Sequence, residues 1–149
     1  MRKKISSMYS NKNITYILTI LEAIEKVFYY TESFKNEEEF FYANKQLNFN
    51  ATVNLLIAIG EENKKIDDGL KISTKINWKN ISAMRDKISH NYRGIDESMV
   101  WDIVQNYLGI LKTLLIEMLS KIDNSNEYIV EALQSQYYED LKYLEDIEV

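Results

Sequence analysis

The chain has 149 residues, no proline, no cysteine and four glycines, set among abundant Leu, Ile, Lys and Glu, so the usual helix breakers are nearly missing. That composition predicts an all-α fold, and zero cysteine excludes disulfides and thiolate metal sites. A net charge of −5 argues against a generic nucleic-acid binder, and no window approaches the ~20 apolar residues of a transmembrane helix.

The basic start, Met1-Arg2-Lys3-Lys4, is followed by an apolar run broken at Asn11, Lys12 and Asn13, which does not read as a signal peptide. A cytoplasmic location is therefore expected. The first helix is expected from about Asn13 to Thr31, with Ile14, Ile17, Leu18, Leu21, Ile24 and Phe28 at three- and four-residue steps facing a core. Asn36, with Glu39 three residues later, has the pattern of an N-terminal cap with its reciprocal acid. A second helix should run from Glu37 to about Asp67 through Phe40, Phe41, Leu47, Val53, Leu56, Ile57 and Ile59, bent near Asn48-Phe49-Asn50.

Asp67-Asp68-Gly69 supplies turn chemistry, and Asn77 can cap a third helix opening at Trp78. This helix turns Ile81, Met84 and Ile88 to the core and should end between Asn91 and Gly94. Asp96 or Ser98 can start a fourth, with a dense apolar face from Val100 to Ile122. A fifth segment follows Asp123-Asn124-Ser125-Asn126 and aligns Ile129, Leu133, Tyr137, Leu141 and Leu144. The expected architecture is an antiparallel up-and-down bundle of four to five helices over residues 1–124, with an acidic helical extension, 125–149, packed on the bundle or on a partner.

Charge divides along the same line: residues 1–122 carry a net +2 and residues 123–149 a net −7. Within the body, residues 63–93 hold eight Lys and Arg, including Lys79, Arg85, Lys87 and Arg93, against Asp67, Asp68 and Asp86. A polyanion would be drawn to this stretch. It also contains the only histidine, in Arg85-Asp86-Lys87-Ile88-Ser89-His90-Asn91-Tyr92, so proton transfer by imidazole near neutral pH has one place to occur.

On a helix of ~3.6 residues per turn, five residues from Arg85 to His90 span about 140°, so the two do not share a face. Their cooperation calls for local unwinding, for the long reach of arginine, or for a second subunit bringing its own copy alongside. Arg85 and Tyr92, seven apart, nearly eclipse if the helix persists. An imidazole and a permanent guanidinium suit cleavage of RNA by its own 2′-hydroxyl: His90 as general acid/base, Arg85 as a fork on the phosphate oxygens.

Arg85-x4-His90-x-Tyr92 resembles the R-x4-6-H motif of HEPN domains, in the R-x4-H-x-Y form of the HepT-like subgroup. The likeness extends to Ile59-Gly60-Glu61, to Asn77 through Arg85, and to Gly94-Ile95-Asp96 with Val100-Trp101; it covers about residues 13–120. Asn77 stands where the family usually has proline. The resemblance implies a homodimer with two motifs across one cleft, acting as a metal-independent ribonuclease toxin without a cofactor. It further implies a nucleotidyltransferase antitoxin, MntA-like, that transfers AMP to the motif tyrosine. Carried over by position, Arg85 and His90 are catalytic and Tyr92 is the AMP acceptor; Lys79, Lys87 and Arg93 are candidate RNA contacts.

Two other readings use the same residues: a non-catalytic nucleotide- or RNA-binding subunit of a nucleotidyltransferase, and a dimerisation module whose acidic tail is the partner surface. Taken singly, each residue has a plainer role. His90 can stabilise a helix end, Arg85 can pair with Asp86, Glu61 or Glu62, and Tyr92 can be one more packing tyrosine. Trp78 and Trp101 read as core or dimer anchors, and Glu61-Glu62 and Asp67-Asp68 as solvated acids rather than a metal site.

Overall fold

A computed structural model describes residues 11–72, 77–90, 94–122 and 125–146, and the described chain is all helical. In chain order the elements are α1 (Lys12–Thr31), α2 (Glu37–Tyr42), a 3-10 turn (Ala43–Gln46), α3 (Leu47–Asn63), α4 (Asp68–Ile72), α5 (Trp78–His90), α6 (Glu97–Asn106), α7 (Leu108–Leu119), α8 (Ser125–Ala132) and a run of 3-10 turns (Gln136–Asp146). The bundle is HEPN-like. None of these helices is long and apolar enough to cross a membrane.

The core follows from helical periodicity. Ile14, Ile17, Leu18, Leu21 and Ile24 of α1 are fully buried, and α1 lies along α3, whose Val53, Leu56 and Ile59 complete the interface. Val27 takes the buried position at the end of this stripe, leaving Phe28 half-buried. On its other side α3 packs against α5 through Ile81 and Ile88. A reciprocal clamp secures the start of α1: Asn13, 1% exposed, donates to the Asp67 carboxylate at 3.0 Å, and the Asp67 backbone N–H donates back to Asn13 Oδ1 at 2.9 Å. A buried amide satisfied at both ends costs little to bury.

The caps form where sequence places them. Asn36 Oδ1 accepts the Glu39 N–H at 2.9 Å, while the Glu39 carboxylate reaches back to the Lys35 N–H at 3.0 Å. Asp96 is the cap of α6, accepting the N–H groups of Ser98 and Met99.

Three expected continuities are broken. The helix expected over 37–67 does not bend at Asn48–Asn50; it breaks earlier, where Asn44, Lys45 and Gln46 all take left-handed torsions with φ of 52°, 57° and 67°. Each such non-glycine residue costs roughly 1–2 kcal/mol. Packing and polar contacts across the break offset that cost. Phe40, 0% exposed, meets Phe49 at 5.6 Å and Trp101 at 5.5 Å between ring centroids. Asn44 donates to Asn48, which donates to the Tyr30 carbonyl. The reversal leaves Leu47 66% exposed instead of in the core.

The expected helix from Asp96 to Ile122 divides at Tyr107, whose φ of −117° interrupts regular torsions while the hydrogen bonds Tyr107 N–H to Ile103 O and Leu111 N–H to Tyr107 O carry the chain through. The fifth segment also divides. Ser135 Oγ accepts the Tyr137 N–H and Ser135 O accepts the Tyr138 N–H, so a serine turn competes successfully with continued α-helix. Ile129, Leu133, Leu141 and Leu144 are buried in the common core, but Tyr137 is 55% exposed.

The last segment is fixed to α1 and α7 by mixed aromatic and ionic contacts. Lys112 binds Glu25 at 2.6 Å and sits 4.6 Å from the Tyr143 ring centroid. Burial, with the Glu25 carboxylate adding, raises the Tyr143 phenol well above its ordinary value of 10.0. The folded chain therefore keeps this proton when the unfolded chain loses it: the contribution is complete below about pH 10 and declines as pH rises above it. Tyr143→Phe should flatten the loss of Tm between pH 9 and 11; an unchanged alkaline slope would contradict the assignment.

Candidate active site

The site is built where the last turns of α3 meet α5. Ile81 and Ile88 point into the core and Met84 is half-buried, which places Arg85 at the edge of the same seam. Gly60 makes the approach possible. A Cβ built at position 60 would stand 2.4 Å from Arg85 Cβ and 2.8 Å from its Cγ, well inside van der Waals contact. The three residues Ile59-Gly60-Glu61 therefore have separate jobs: Ile59 fills the core, Gly60 lets α5 close in, and Glu61 reaches the arginine head group.

Both terminal nitrogens of Arg85 are engaged. Nη2 pairs with the Glu61 carboxylate, and Nη1 donates to Asp86 Oδ1 at 2.8 Å. Nε is buried with no hydrogen-bond partner. The Asp86 hydrogen bond, with Glu61 adding and desolvation opposing, raises the guanidinium above its already high ordinary value, so the charge is permanent. The Arg85 side chain is 27% exposed, whereas its two carboxylate partners are 44% and 54% exposed. An incoming phosphate therefore meets a cation whose fork is held by two partly exposed carboxylates, and solvent screening keeps pairs of this kind weak. Exchange of a carboxylate for a phosphate is within reach.

Of the other named residues, Lys87 is exposed on the same helix. The side chains of His90 and Lys79, and Tyr92 and Arg93 altogether, lie outside what the structure describes. The backbone of α5 is helical from Trp78 through His90, so no unwinding separates Arg85 from His90 and their angular offset of about 140° stands. Glu62 is not an Arg85 partner; it binds Lys65 at 2.6 Å. Trp101 is partly buried against Phe40, an anchor of the core. Among the described residues no group of three or more His, Cys, Asp or Glu could hold a metal ion.

Comparison with known proteins bears directly on this arrangement. The family model described as "Ribonuclease HepT-like" matches residues 20–122, which takes in α3, α5 and every residue around Arg85. The chain belongs to the HepT-like ribonuclease family. A protein of Thermococcus cleftensis named "Probable ribonuclease HepT" is 34% identical over 98 residues, which is 65% of this chain and 86% of that protein. A Methanocaldococcus jannaschii protein named as a "Putative RNase" is 29% identical over 113 residues, 75% of this chain and 91% of its own length. No solved structure matches. The HepT-like region ends at Ile122, so α8 and the terminal 3-10 turns, with most of the acidic surplus, stand beyond the matched region.

Proposed function

We propose that this chain is a metal-independent endoribonuclease and the toxin of a toxin–antitoxin pair. It acts as a cytoplasmic homodimer that brings two Arg85/His90 motifs to one cleft. The observation that carries the reading is the HepT-like match across the seam where Gly60 brings Arg85, still partly open to solvent, against α3. The intact helix between Arg85 and His90 favours a second subunit over local unwinding as the way the two groups cooperate.

The chemistry is transfer within the RNA. One His90 takes the proton of the ribose 2′-hydroxyl, its oxygen attacks phosphorus, and the bond from phosphorus to the 5′-oxygen breaks. The second subunit's imidazole, protonated, delivers a proton to that leaving oxygen. The products are a 2′,3′-cyclic phosphate and a free 5′-hydroxyl. Arg85 stabilises the charge that builds on the non-bridging oxygens, and Lys79, Lys87 and Arg93 hold neighbouring phosphates. A nucleotidyltransferase antitoxin silences the enzyme by transferring AMP from ATP to the Tyr92 phenol oxygen, with release of pyrophosphate and the phenol proton, which adds a negative phosphate to the motif itself. Residues 1–124 form the ribonuclease unit and 125–149 an accessory extension.

The deciding experiment is an RNA digest in excess chelator. New ends carrying cyclic phosphate and 5′-hydroxyl are expected, and binding without new ends would leave the chain an adaptor. That second reading draws on one observation, the engagement of Arg85 by two carboxylates. Co-expression with the antitoxin should add the mass of one AMP to the peptide holding Tyr92; modification confined to other peptides would contradict the silencing step.

Glu61 provides a finer check. Because it holds Nη2 of Arg85 in competition with phosphate, Glu61→Gln in a His90→Ala background should tighten binding of uncleaved RNA by about threefold at low salt. Weaker binding would mean that Glu61 chiefly orients the arginine.

A further inference from the structure

Three times this fold holds a lysine ammonium between a carboxylate and a tyrosine ring. Lys26 binds Glu22 at 2.7 Å and lies 5.5 Å from the Tyr137 centroid. Lys112 binds Glu25 at 2.6 Å and lies 4.6 Å from Tyr143. Lys65 binds Glu62 at 2.6 Å and lies 5.9 Å from Tyr16. Two of the three are contacts of the terminal segment beyond the HepT-like region.

A fourth set has the same parts without the lysine. Tyr128, Glu131, Ala132, Ser135 and Tyr138 line an open groove of about 330 Å³ between α8 and the terminal turns. Its walls are held in place: Tyr128 shares a 2.9 Å hydrogen bond with Thr15 of α1, and the Tyr138 ring packs edge-on against Tyr137 at 5.0 Å. Among the described residues Glu131 forms no salt bridge, and no cation stands over either ring. The segment around it, residues 123–149, carries a net −7.

We infer that this groove is a docking site for a basic segment of a protein partner, with one Arg or Lys side chain entering between Tyr128 and Tyr138 and pairing with Glu131. Aromatic faces beside a carboxylate select a cation, and the groove has room for an Arg or Lys side chain. The net −7 of residues 123–149 carries the attraction beyond the groove itself, which suits a run of basic residues in a polypeptide better than one small cation. The site owes nothing to the ribonuclease reading and stands or falls separately from it.

The test uses the full chain and a fluorescein-labelled, end-blocked peptide of alternating arginine and alanine, followed by anisotropy. The wild type should bind. Glu131→Gln and Tyr138→Leu should each weaken binding by about threefold or more, while Glu145→Gln, which removes an exposed charge outside the groove, should have little effect. Circular dichroism of each variant confirms the helical fold, and Glu131, being exposed, can be changed without loss of packing. Any of four results overturns the proposal: no peptide binding, equal weakening by all three variants, spermidine binding as tightly as the peptide, or binding only after Arg2, Lys3 and Lys4 are replaced by alanine. The last would assign the groove to the chain's own amino terminus.

Discussion

Replacing His90 with alanine should abolish RNA cleavage, lowering the single-turnover rate by roughly 10²- to 10⁴-fold, while far-UV circular dichroism and Tm stay near wild type. The reasoning is one of supply: this is the only imidazole in 149 residues, and no cysteine is present to substitute as a base near neutral pH. If two subunits share one cleft, each active site contains both histidines, and a mixed dimer with one His90→Ala subunit should also be nearly inactive. Mixing experiments therefore separate two mechanisms. Activity falling with the square of the wild-type fraction means both imidazoles are needed; a shallower fall means that one suffices. Retained cleavage by the homogeneous variant would remove His90 from the chemistry altogether.

Gly60→Ala should be destabilising although it replaces a mid-helix glycine by the best helix former. The propensity gain is about 1 kcal/mol, and ordinary overpacking costs about 1–3 kcal/mol. Here the clash is severe: the new methyl would lie 2.4 Å from Arg85 Cβ, an atom next to the α5 backbone that cannot swing aside. Separation of α3 and α5 is the available relief, and it carries Arg85 away from its present position. A lower Tm is expected together with a loss of cleavage of the order of 10²-fold, since displacement of about 1 Å at a reacting centre costs that much. Gly109→Ala is the control, because a Cβ there meets nothing within 4 Å. That variant should be neutral or stabilised by up to ~1 kcal/mol. Equal Tm values for the two variants would refute the contact.

Local signals served well where the cause was local. Asn36 and Asp96 cap their helices because a short polar side chain reaches an N–H two or three residues on, whatever surrounds it. The buried stripes of α1, α3 and α5 follow from spacing for the same reason. Nothing comparable marked the break at Asn44-Lys45-Gln46. No glycine or proline stands there, and the left-handed torsions persist because Phe40 and Phe49, on either side of the reversal, pack together against Trp101 from far along the chain. Leu47 and Tyr137, which helical spacing groups with buried neighbours, stand exposed for a related reason: each adjoins a break that resets the helical phase.

The candidate site divides the same way. Sequence alone determined that this is a chain of helices, where most of them begin, which faces are apolar, and that an arginine and the lone histidine are five residues apart. It named Glu61 and Asp86 among three acids able to reach Arg85. Tertiary structure alone decided that both hold it, that Glu62 is diverted to Lys65, and that Gly60 is the point of closest approach between two helices. The physical reason is range: propensity, capping and period act within a few residues along the chain, whereas a missing Cβ or a shared guanidinium has meaning only once packing has chosen its neighbours.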